Sequence, residues 1–230
     1  MHLHRQIEKL KKMLLAVGAR VEEALHSAIE VVQNRDVDQA NQVIDGDRNI
    51  DLMEIDVEEE CLHTLALHQP VAADLRLIVA ILKINSDLER IGDLAVNIAE
   101  QARFLAGEGR VDQWPYDLPG MTRSVQKMLR ESLDALVNMD VEKARFVRKL
   151  DDEVDTIHRG MYSQICRAIR EDTDQLEQMI HLLNISRQLE RIADHAVNIS
   201  KDVIYMVEGD IVRHKRRSAG DPEPAVKPGA

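Results

Sequence analysis

The chain has 230 residues and a formal net charge of −11, and only 3% of its residues are aromatic. This scarcity of aromatic residues, with 10 Gly and 6 Pro, argues against a β-sandwich or barrel, which needs many turns and strands rich in aromatic and β-branched residues. The acidic balance argues against a nucleic-acid-binding protein, because a phosphate backbone requires a basic surface, and suits cations or basic partner surfaces instead.

Three amphipathic helices are predicted in the first half. In the first, apolar residues recur alternately three and four positions apart, which indicates one buried face. These residues are Ile7, Leu10, Leu14, Val17, Val21, Leu25, Ala28 and Val32. A break at Asn34-Arg35-Asp36 separates the second helix, which runs to about His68 and ends before Pro70. Its expected apolar face consists of Val43, Ile50, Ile55, Val57, Leu62 and Leu65.

The third predicted helix runs from Leu75 to about Leu105. Its apolar face consists of Ile81, Ile84, Leu88, Ile91, Ala95, Ile98 and Ala102. The turn residues Gly107-Glu108-Gly109 and Leu118-Pro119-Gly120 then mark the main boundary of the chain.

Three further helices are predicted after this boundary. The fourth is marked by Val125, Leu129, Ser132, Leu136 and Met139; the fifth runs from Ala144 to about Ile169 and the sixth from Leu176 to about Val207. We therefore expect a first bundle at 1–108, a linker at 109–120, a second bundle at 121–212 and a disordered tail at 213–230 with a basic cluster.

The two halves repeat each other. The segment from Leu88 to Ile98 reappears as the segment from Leu189 to Ile199, an offset of 190 − 89 = 101 residues. A match of this length indicates an internal duplication. The predicted fold class is therefore all-α, with two tandem three-helix bundles and six helices in total.

Neither a signal peptide nor a membrane span is predicted. Residues 1–20 are amphipathic and lack a continuous apolar stretch, and no run approaches the ~18 apolar residues of a spanning helix. We expect a soluble cytoplasmic protein that does not insert into membranes. Cys61 and Cys166 interrupt apolar helical patterns far apart, and we interpret them as structural thiols without a disulfide.

Acidic residues occur in pairs four positions apart, so that each pair shares one helix face. The four pairs are Asp47 and Asp51, Glu89 and Asp93, Asp151 and Asp155, and Glu190 and Asp194. Asp51 precedes Pro70 by 70 − 51 = 19 residues and Glu89 follows it by 89 − 70 = 19, so an antiparallel hairpin places them at equal height. Asp155 and Glu190 are arranged almost equally about Asp172, which predicts one carboxylate groove in each half.

Clustered carboxylates on helices favour hard or intermediate cations such as Mg, Mn, Ca or iron, and disfavour a structural zinc site. Asn97 and Asn198, one turn further along, could add amide oxygens. Two alternatives remain open for the acidic faces: they are simply solvated, or Arg90 and Arg191 pair with the acids instead.

Other functions remain open at this point. Glu60 and His63 match the E-x-x-H half-motif of di-iron bundles, but the corresponding pair, Asp155 and His158, has Asp in place of Glu. A metal-storage protein or metal-dependent enzyme is thus one alternative, and a metal-free helical scaffold is another. No nucleophile elbow or phosphate-binding loop occurs in the sequence, and His181 and His195 are expected to pack rather than ligate.

The sequence resembles the PhoU family of phosphate-transport regulators. The resemblance rests on the segments 43–48 and 70–76 and on the duplicated Leu-Glu-Arg-Ile-Gly/Ala-Asp motifs at 88 and 189, and it spans about Ile7 to Arg213. It implies a non-enzymatic cytoplasmic protein of two three-helix bundles whose motifs can hold multinuclear metal clusters. We expect divalent or trivalent ions there: iron, manganese, magnesium or zinc. The motif positions carried over are Asp47, Asp51, Glu89, Asp93, Asp151, Asp155, Glu190 and Asp194.

The resemblance also implies partners and a function. Such proteins repress the phosphate-starvation response by contacting the phosphate sensor histidine kinase and the ATPase of the phosphate ABC importer. We expect this protein to act in the same way, and we expect it to form a homodimer. The second motif departs from the family pattern because it has Ala193 where glycine is usual. It also has His195 directly after its aspartate, where the first motif has Leu94. We therefore expect the two sites to differ.

Overall fold

The computed structural model describes residues 2–107 and 114–209. The described residues form six α-helices and contain no strand, which confirms the predicted all-α class. A 3₁₀ turn, Thr173–Gln175, precedes the last helix. The helices are α1 His2–Asn34, α2 Val37–His68, α3 Ala72–Gly107, α4 Leu118–Asn138, α5 Val141–Glu171 and α6 Leu176–Glu208. The predicted tail 213–230 and the first part of the predicted linker lie outside the described residues.

Aspartate side chains cap three of the helices. The Asp36 carboxylate accepts from the backbone N–H groups of Asp38 and Gln39, so α2 begins directly after the predicted break. Asp140 caps α5 in the same way. Asp117 accepts from the Gly120 N–H at 2.9 Å, which starts α4 at Leu118, inside the segment predicted as linker. Short polar caps satisfy the N–H groups that lack partners in a helical first turn.

The predicted apolar face of α1 is buried throughout. The prediction for α2 was partly wrong, because Ile55 and Leu62 are 47% and 54% exposed. Val43, Ile50 and Val57 are buried as predicted, in one row with Ala40, Cys61 and Thr64. Apolar residues occur on both sides of α2, and only packing against α1 and α3 decides which row enters the core.

The two bundles pack side by side through α3 against α6 and α1 against α4. Near the start of α3, Lys83 Nζ lies 3.5 Å from Asp202 Oδ1 near the end of α6. Towards the end of α3, Gln101 Oε1 lies 2.7 Å from His181 Nδ1 near the start of α6, so α3 and α6 run antiparallel. α2 and α5 contact only elements of their own bundle within the described ranges, which leaves the outer side of each available.

The described helices can be compared with the predictions about membrane spans and cysteines. Within 2–107 and 114–209, no helix combines the length and apolar character that crossing a membrane requires. Both cysteines are free thiols, with Cys61 buried and Cys166 half-buried, which agrees with structural cysteines.

One core contact differs between the repeats at the level of the acidic pairs. A Cβ on Gly92 would lie 3.3 Å from Ile50 Cδ1 and 3.4 Å from its Cγ2, which is a tight approach. In the second repeat Ala193 takes the place of Gly92 and the smaller Val154 takes the place of Ile50, both buried. The two halves therefore distribute similar side-chain volume differently between the facing helices.

Gly92→Ala adds about 1 kcal/mol of helix propensity, but the buried Ile50 side chain must shift to admit the new Cβ, so we expect no net gain in the free energy of unfolding. Ile50→Val alone should cost about 1 kcal/mol through lost packing. The double variant should be more stable than the sum of the two single effects predicts, with a coupling of about 1 kcal/mol in a double-mutant cycle measured by urea denaturation. Simple additivity of the two effects would show that this contact does not limit the approach of α2 and α3.

Candidate metal centre

The first acidic cluster lies between α2 and α3. Its residues are Asp47 and Asp51 from α2 and Glu89 and Asp93 from α3. Burial, and then the like charges of Asp51 and Asp93, raise the pKa of Asp47 to about 6. Burial and the charge of Asp93 also raise the pKa of Glu89. The charge of Asp51 raises it further by a smaller amount. The hairpin thus brings all four side chains close enough for their charges to interact, as the residue spacing predicted.

Arg90 is the cation next to this cluster. Its Nε lies 3.4 Å from Glu89 Oε2, and one of its terminal nitrogens lies 3.4 Å from Asp93 Oδ2. The Arg90 side chain is 57% exposed, so it can swing away from the carboxylates without leaving a buried charge. The alternative in which Arg90 pairs with the acids is therefore realised in this arrangement, and a bound cation would compete with Arg90.

Glu54 is a fifth acidic residue of this cluster, which was not predicted from the sequence. Burial, followed by the charges of Glu58 and Asp51, raises its pKa, and its own charge raises the pKa of Glu89. Glu54 lies three residues after Asp51 and seven after Asp47, which is the spacing of a single helix face. The spacing of four and then three residues between Asp47, Asp51 and Glu54 was the signal in the sequence that could have identified Glu54.

The second acidic cluster lies between α5 and α6. Burial, then the charges of Asp155 and Asp194, raise the pKa of Asp151 to about 6. Burial and the charge of Asp194 also raise the pKa of Glu190, with Asp155 contributing. The duplicated sequence therefore builds the same four-carboxylate arrangement twice.

His158 is the additional residue at the second cluster. Its charge lowers the pKa of Glu190, opposing the neighbouring carboxylates. Its Nδ1 lies 3.3 Å from the hydroxyl of Ser186 on α6, which fixes the ring between the two helices. From the sequence, His158 was expected only as part of an incomplete E-x-x-H motif. The intact motif, Glu60 and His63, lies further along α2 than Asp51 and Glu54, which are the residues equivalent to Asp155 and His158. Glu60 binds Lys9 of α1 at 2.6 Å and His63 is exposed.

The remaining candidate side chains have other partners. His195 Nδ1 lies 2.7 Å from Asp87 Oδ1 across the contact between the bundles, and His181 stacks on Phe104. The Asn198 side-chain oxygen accepts from Lys201 Nζ at 3.3 Å. His195 is therefore a packed histidine at the contact between the two bundles. It does not distinguish the second cluster from the first.

The residues present fit hard cations in their chemistry. Carboxylate oxygens are the preferred ligands of Mg, Mn, Ca and ferric iron. Asp47 Oδ1 is buried and has no hydrogen-bond partner among the described residues, so it is an acceptor that a cation would satisfy. In the described part of the chain, however, no three His, Cys, Asp or Glu side chains converge closely enough to ligate one ion as they stand. Binding would require the exposed ends of these side chains to turn inward.

The raised pKa values predict a pH dependence of stability in the metal-free protein. An Asp whose pKa rises from 3.8 to about 6 on folding contributes stability that is full below pH 3.8 and is lost as the pH rises through 6. We expect Asp47→Asn with Asp151→Asn to gain stability over the wild type at pH 7.5 and much less at pH 4. Solvent exposure limits the gain to about 1 kcal/mol per site.

Urea denaturation in EDTA at the two pH values measures this difference. The exposed Asp45→Asn is the matched control, which should show no comparable gain. A double variant that is less stable than the wild type at pH 7.5 would contradict the repulsion inferred here.

Two tandem three-helix bundles, each with a carboxylate cluster between its second and third helices, define a duplicated all-helical protein with an acidic groove in each half. Comparison with known families agrees with the duplication. The model of the PhoU domain matches this chain twice, over residues 14–102 and 118–203. The chain belongs to the PhoU family.

Relatives and solved structures cover almost the whole chain. An Aquifex aeolicus protein named phosphate-specific transport system accessory protein PhoU homolog is 38% identical, over 94% of this chain and 97% of its own. The accessory protein PhoU of Escherichia coli is 33% identical over 91% and 86%. The crystal structure of PhoU from Pseudomonas aeruginosa superposes with a TM-score of 0.87 at 36% identity, covering 90% of this chain and 99% of that one.

A second solved structure carries a regulatory description. It is the phosphate transport system regulatory protein PhoU from Streptococcus pneumoniae, with a TM-score of 0.81 at 27% identity, covering 91% of this chain and 99% of that one. The sequence-based assignment to the PhoU family is therefore confirmed.

Proposed function

We propose that this protein regulates phosphate uptake and represses the phosphate-starvation response. The support is its similarity, over nearly the whole chain, to proteins named as accessory or regulatory components of phosphate transport. We further propose that it acts without catalysis, by binding the phosphate sensor histidine kinase and the ATPase of the phosphate importer. Both partners come from the family resemblance.

The acidic clusters are proposed to hold divalent or trivalent metal ions: iron, manganese, magnesium or zinc. The observation that carries this step is the repeated gathering of four carboxylates whose charges raise one another's pKa, with a buried unpartnered oxygen on Asp47. The proposed ligands are Asp47, Asp51, Glu89, Asp93, Asp151, Asp155, Glu190 and Asp194. A bound cation supplies positive charge that offsets the repulsion within each groove.

Metal and partner binding would be linked through the surface charge. The grooves lie beside α2 and α5, whose outer sides are not covered by the other bundle. Neutralising part of a groove changes the potential that an approaching basic surface meets. A partner with two conformations would then shift towards the one that binds this surface more tightly.

Deletion of the gene tests the regulatory proposal. A starvation-responsive reporter should be switched on in phosphate-rich medium, and the wild-type gene should restore repression. An unchanged reporter on deletion would overturn the regulatory role. Complementation with Asp51→Asn, Glu89→Gln, Asp155→Asn and Glu190→Gln combined separates the two claims, since full repression by this variant would overturn only the metal step.

The compartment and the oligomeric state are proposed from the same resemblance. We propose that the protein acts in the cytoplasm as a homodimer. Light scattering on the purified 26.1 kDa chain should then give about twice that mass. A mass near that of one chain at micromolar concentration would overturn the dimer.

A further inference from the structure

The two carboxylate clusters differ at one equivalent position. Glu54 follows Asp51 by three residues, and His158 follows Asp155 by three residues. Both side chains interact electrostatically with the first acid of the motif on the facing helix, Glu54 with Glu89 and His158 with Glu190. At equivalent positions, the first cluster therefore has the carboxylate oxygens of Glu54 and the second has the ring nitrogens of His158.

One tautomer of His158 leaves its outer ring nitrogen available to a metal ion. The Ser186 hydroxyl lies 3.4 Å from Met121 Sδ and 3.3 Å from His158 Nδ1. When its single proton is donated to Met121, its oxygen accepts from an Nδ1–H group of His158. In neutral imidazole this tautomer leaves the lone pair on Nε2. A hydrogen bond that fixes the other ring nitrogen is the usual support of a metal-binding histidine.

Glu54 is held at the end of the first cluster by Asn85 of α3. Asn85, only 1% exposed, donates from Nδ2 to the Glu54 carbonyl oxygen at 2.9 Å and to Glu54 Oε1 at 3.4 Å. Its Oδ1 atom is buried without a hydrogen-bond partner in the described part of the chain. This end of the first cluster therefore offers carboxylate and amide oxygens, which suit hard cations.

We propose that the two clusters select different cations, with His158 as a nitrogen ligand in the second. The proposal rests on the proposed metal role of the clusters. The first cluster, with Glu54, takes a hard ion such as Mn²⁺ or Mg²⁺. The second, with His158, takes a borderline ion such as Zn²⁺, because imidazole nitrogen suits zinc and its neighbours better than it suits manganese.

Two full-length proteins, each with one cluster intact, test the selectivity. Asp151→Asn, Asp155→Asn, Glu190→Gln and Asp194→Asn together leave the first cluster; Asp47→Asn, Asp51→Asn, Glu89→Gln and Asp93→Asn together leave the second. Titration calorimetry with Zn²⁺ and Mn²⁺ gives the affinity ratio for each. Both sites favour zinc in absolute terms, so the ratio between the ions is the measured quantity.

We expect the zinc-to-manganese ratio to be about 10 to 100 times higher at the second cluster. His158→Glu should lower that ratio, and Glu54→His in the first cluster should raise it. Equal ratios in the two proteins would overturn the selectivity while leaving the metal role intact. Absence of binding by both proteins, with circular dichroism showing that both are folded, would overturn the metal role and the selectivity together.

A spectroscopic measurement tests the ligand directly. Pulsed electron paramagnetic resonance of the second-cluster protein with one equivalent of Cu²⁺, in a background with the exposed His2, His4, His26 and His63 changed to Gln, should show modulation from the remote nitrogen of a bound imidazole. His158→Gln should abolish it. His181→Gln is the matched control, because His181 binds Gln101 and stacks on Phe104, and it should retain the signal. Persistence of the modulation in His158→Gln would overturn the assignment.

Discussion

Replacing Leu88 by alanine is expected to lower the free energy of unfolding by about 2–5 kcal/mol, the largest single-residue effect predicted here. Leu88 is fully buried in the face that α3 turns towards the core. Truncation removes apolar surface from a close-packed region and leaves a cavity that long helices cannot easily close. The next residue, Glu89, is only partly buried, so the helix turns from core to carboxylate cluster within one position.

Urea denaturation followed by circular dichroism measures this loss. Leu52→Ala is the control, since Leu52 on α2 is 52% exposed and should change stability by no more than about 0.5 kcal/mol. Equal effects of the two substitutions would mean that α3 does not bury the face described here.

Metal binding should stabilise the folded protein strongly. A cation that binds only the folded state adds about 2.7 kcal/mol per site at a free concentration of 100 times its dissociation constant. The cation also offsets the mutual repulsion that raises the pKa of Asp47 and Asp151. We therefore expect Mn²⁺ or Zn²⁺ to raise the melting temperature at pH 7.5, and to raise it less at pH 5, where both residues are largely protonated.

The variant with Asp51→Asn, Glu89→Gln, Asp155→Asn and Glu190→Gln is the comparison for this measurement. These amides keep the side-chain shape and remove the charge, so the variant should fold and lose the metal-dependent shift. A variant that is stabilised as much as the wild type would place the binding outside these two grooves.

Much of the fold follows from the residue pattern alone. In α1, one regular apolar row is opposed by charged residues, so only one face can enter the core. In α2, Ile55 and Leu62 belong to a second apolar row, and the pattern cannot show which row meets α1 and α3. Burial of the row with Val57 and Cys61 is decided by tertiary packing, which a single-helix argument does not contain.

The carboxylate clusters were predictable because their spacing repeats about two hairpin turns. Glu54 was not predicted and His158 was not assigned to the second cluster, because the two repeats have different residue types at that position and a comparison by identity hides their equivalence. His195 was expected to distinguish the second site, but it follows Asp194 by one residue and so points towards the other bundle, where it meets Asp87. A step of one residue turns a helical side chain by about 100°, which is enough to move it from the groove to the contact between bundles.

The metal content of the purified protein, measured by elemental mass spectrometry, tests the central claim most directly. The wild type should contain iron, manganese, zinc or magnesium, and the variant with amides at Asp51, Glu89, Asp155 and Glu190 should have lost it. A wild type that holds no metal, even after incubation with each of these ions, would contradict the account and leave the two acidic grooves as surfaces for partners.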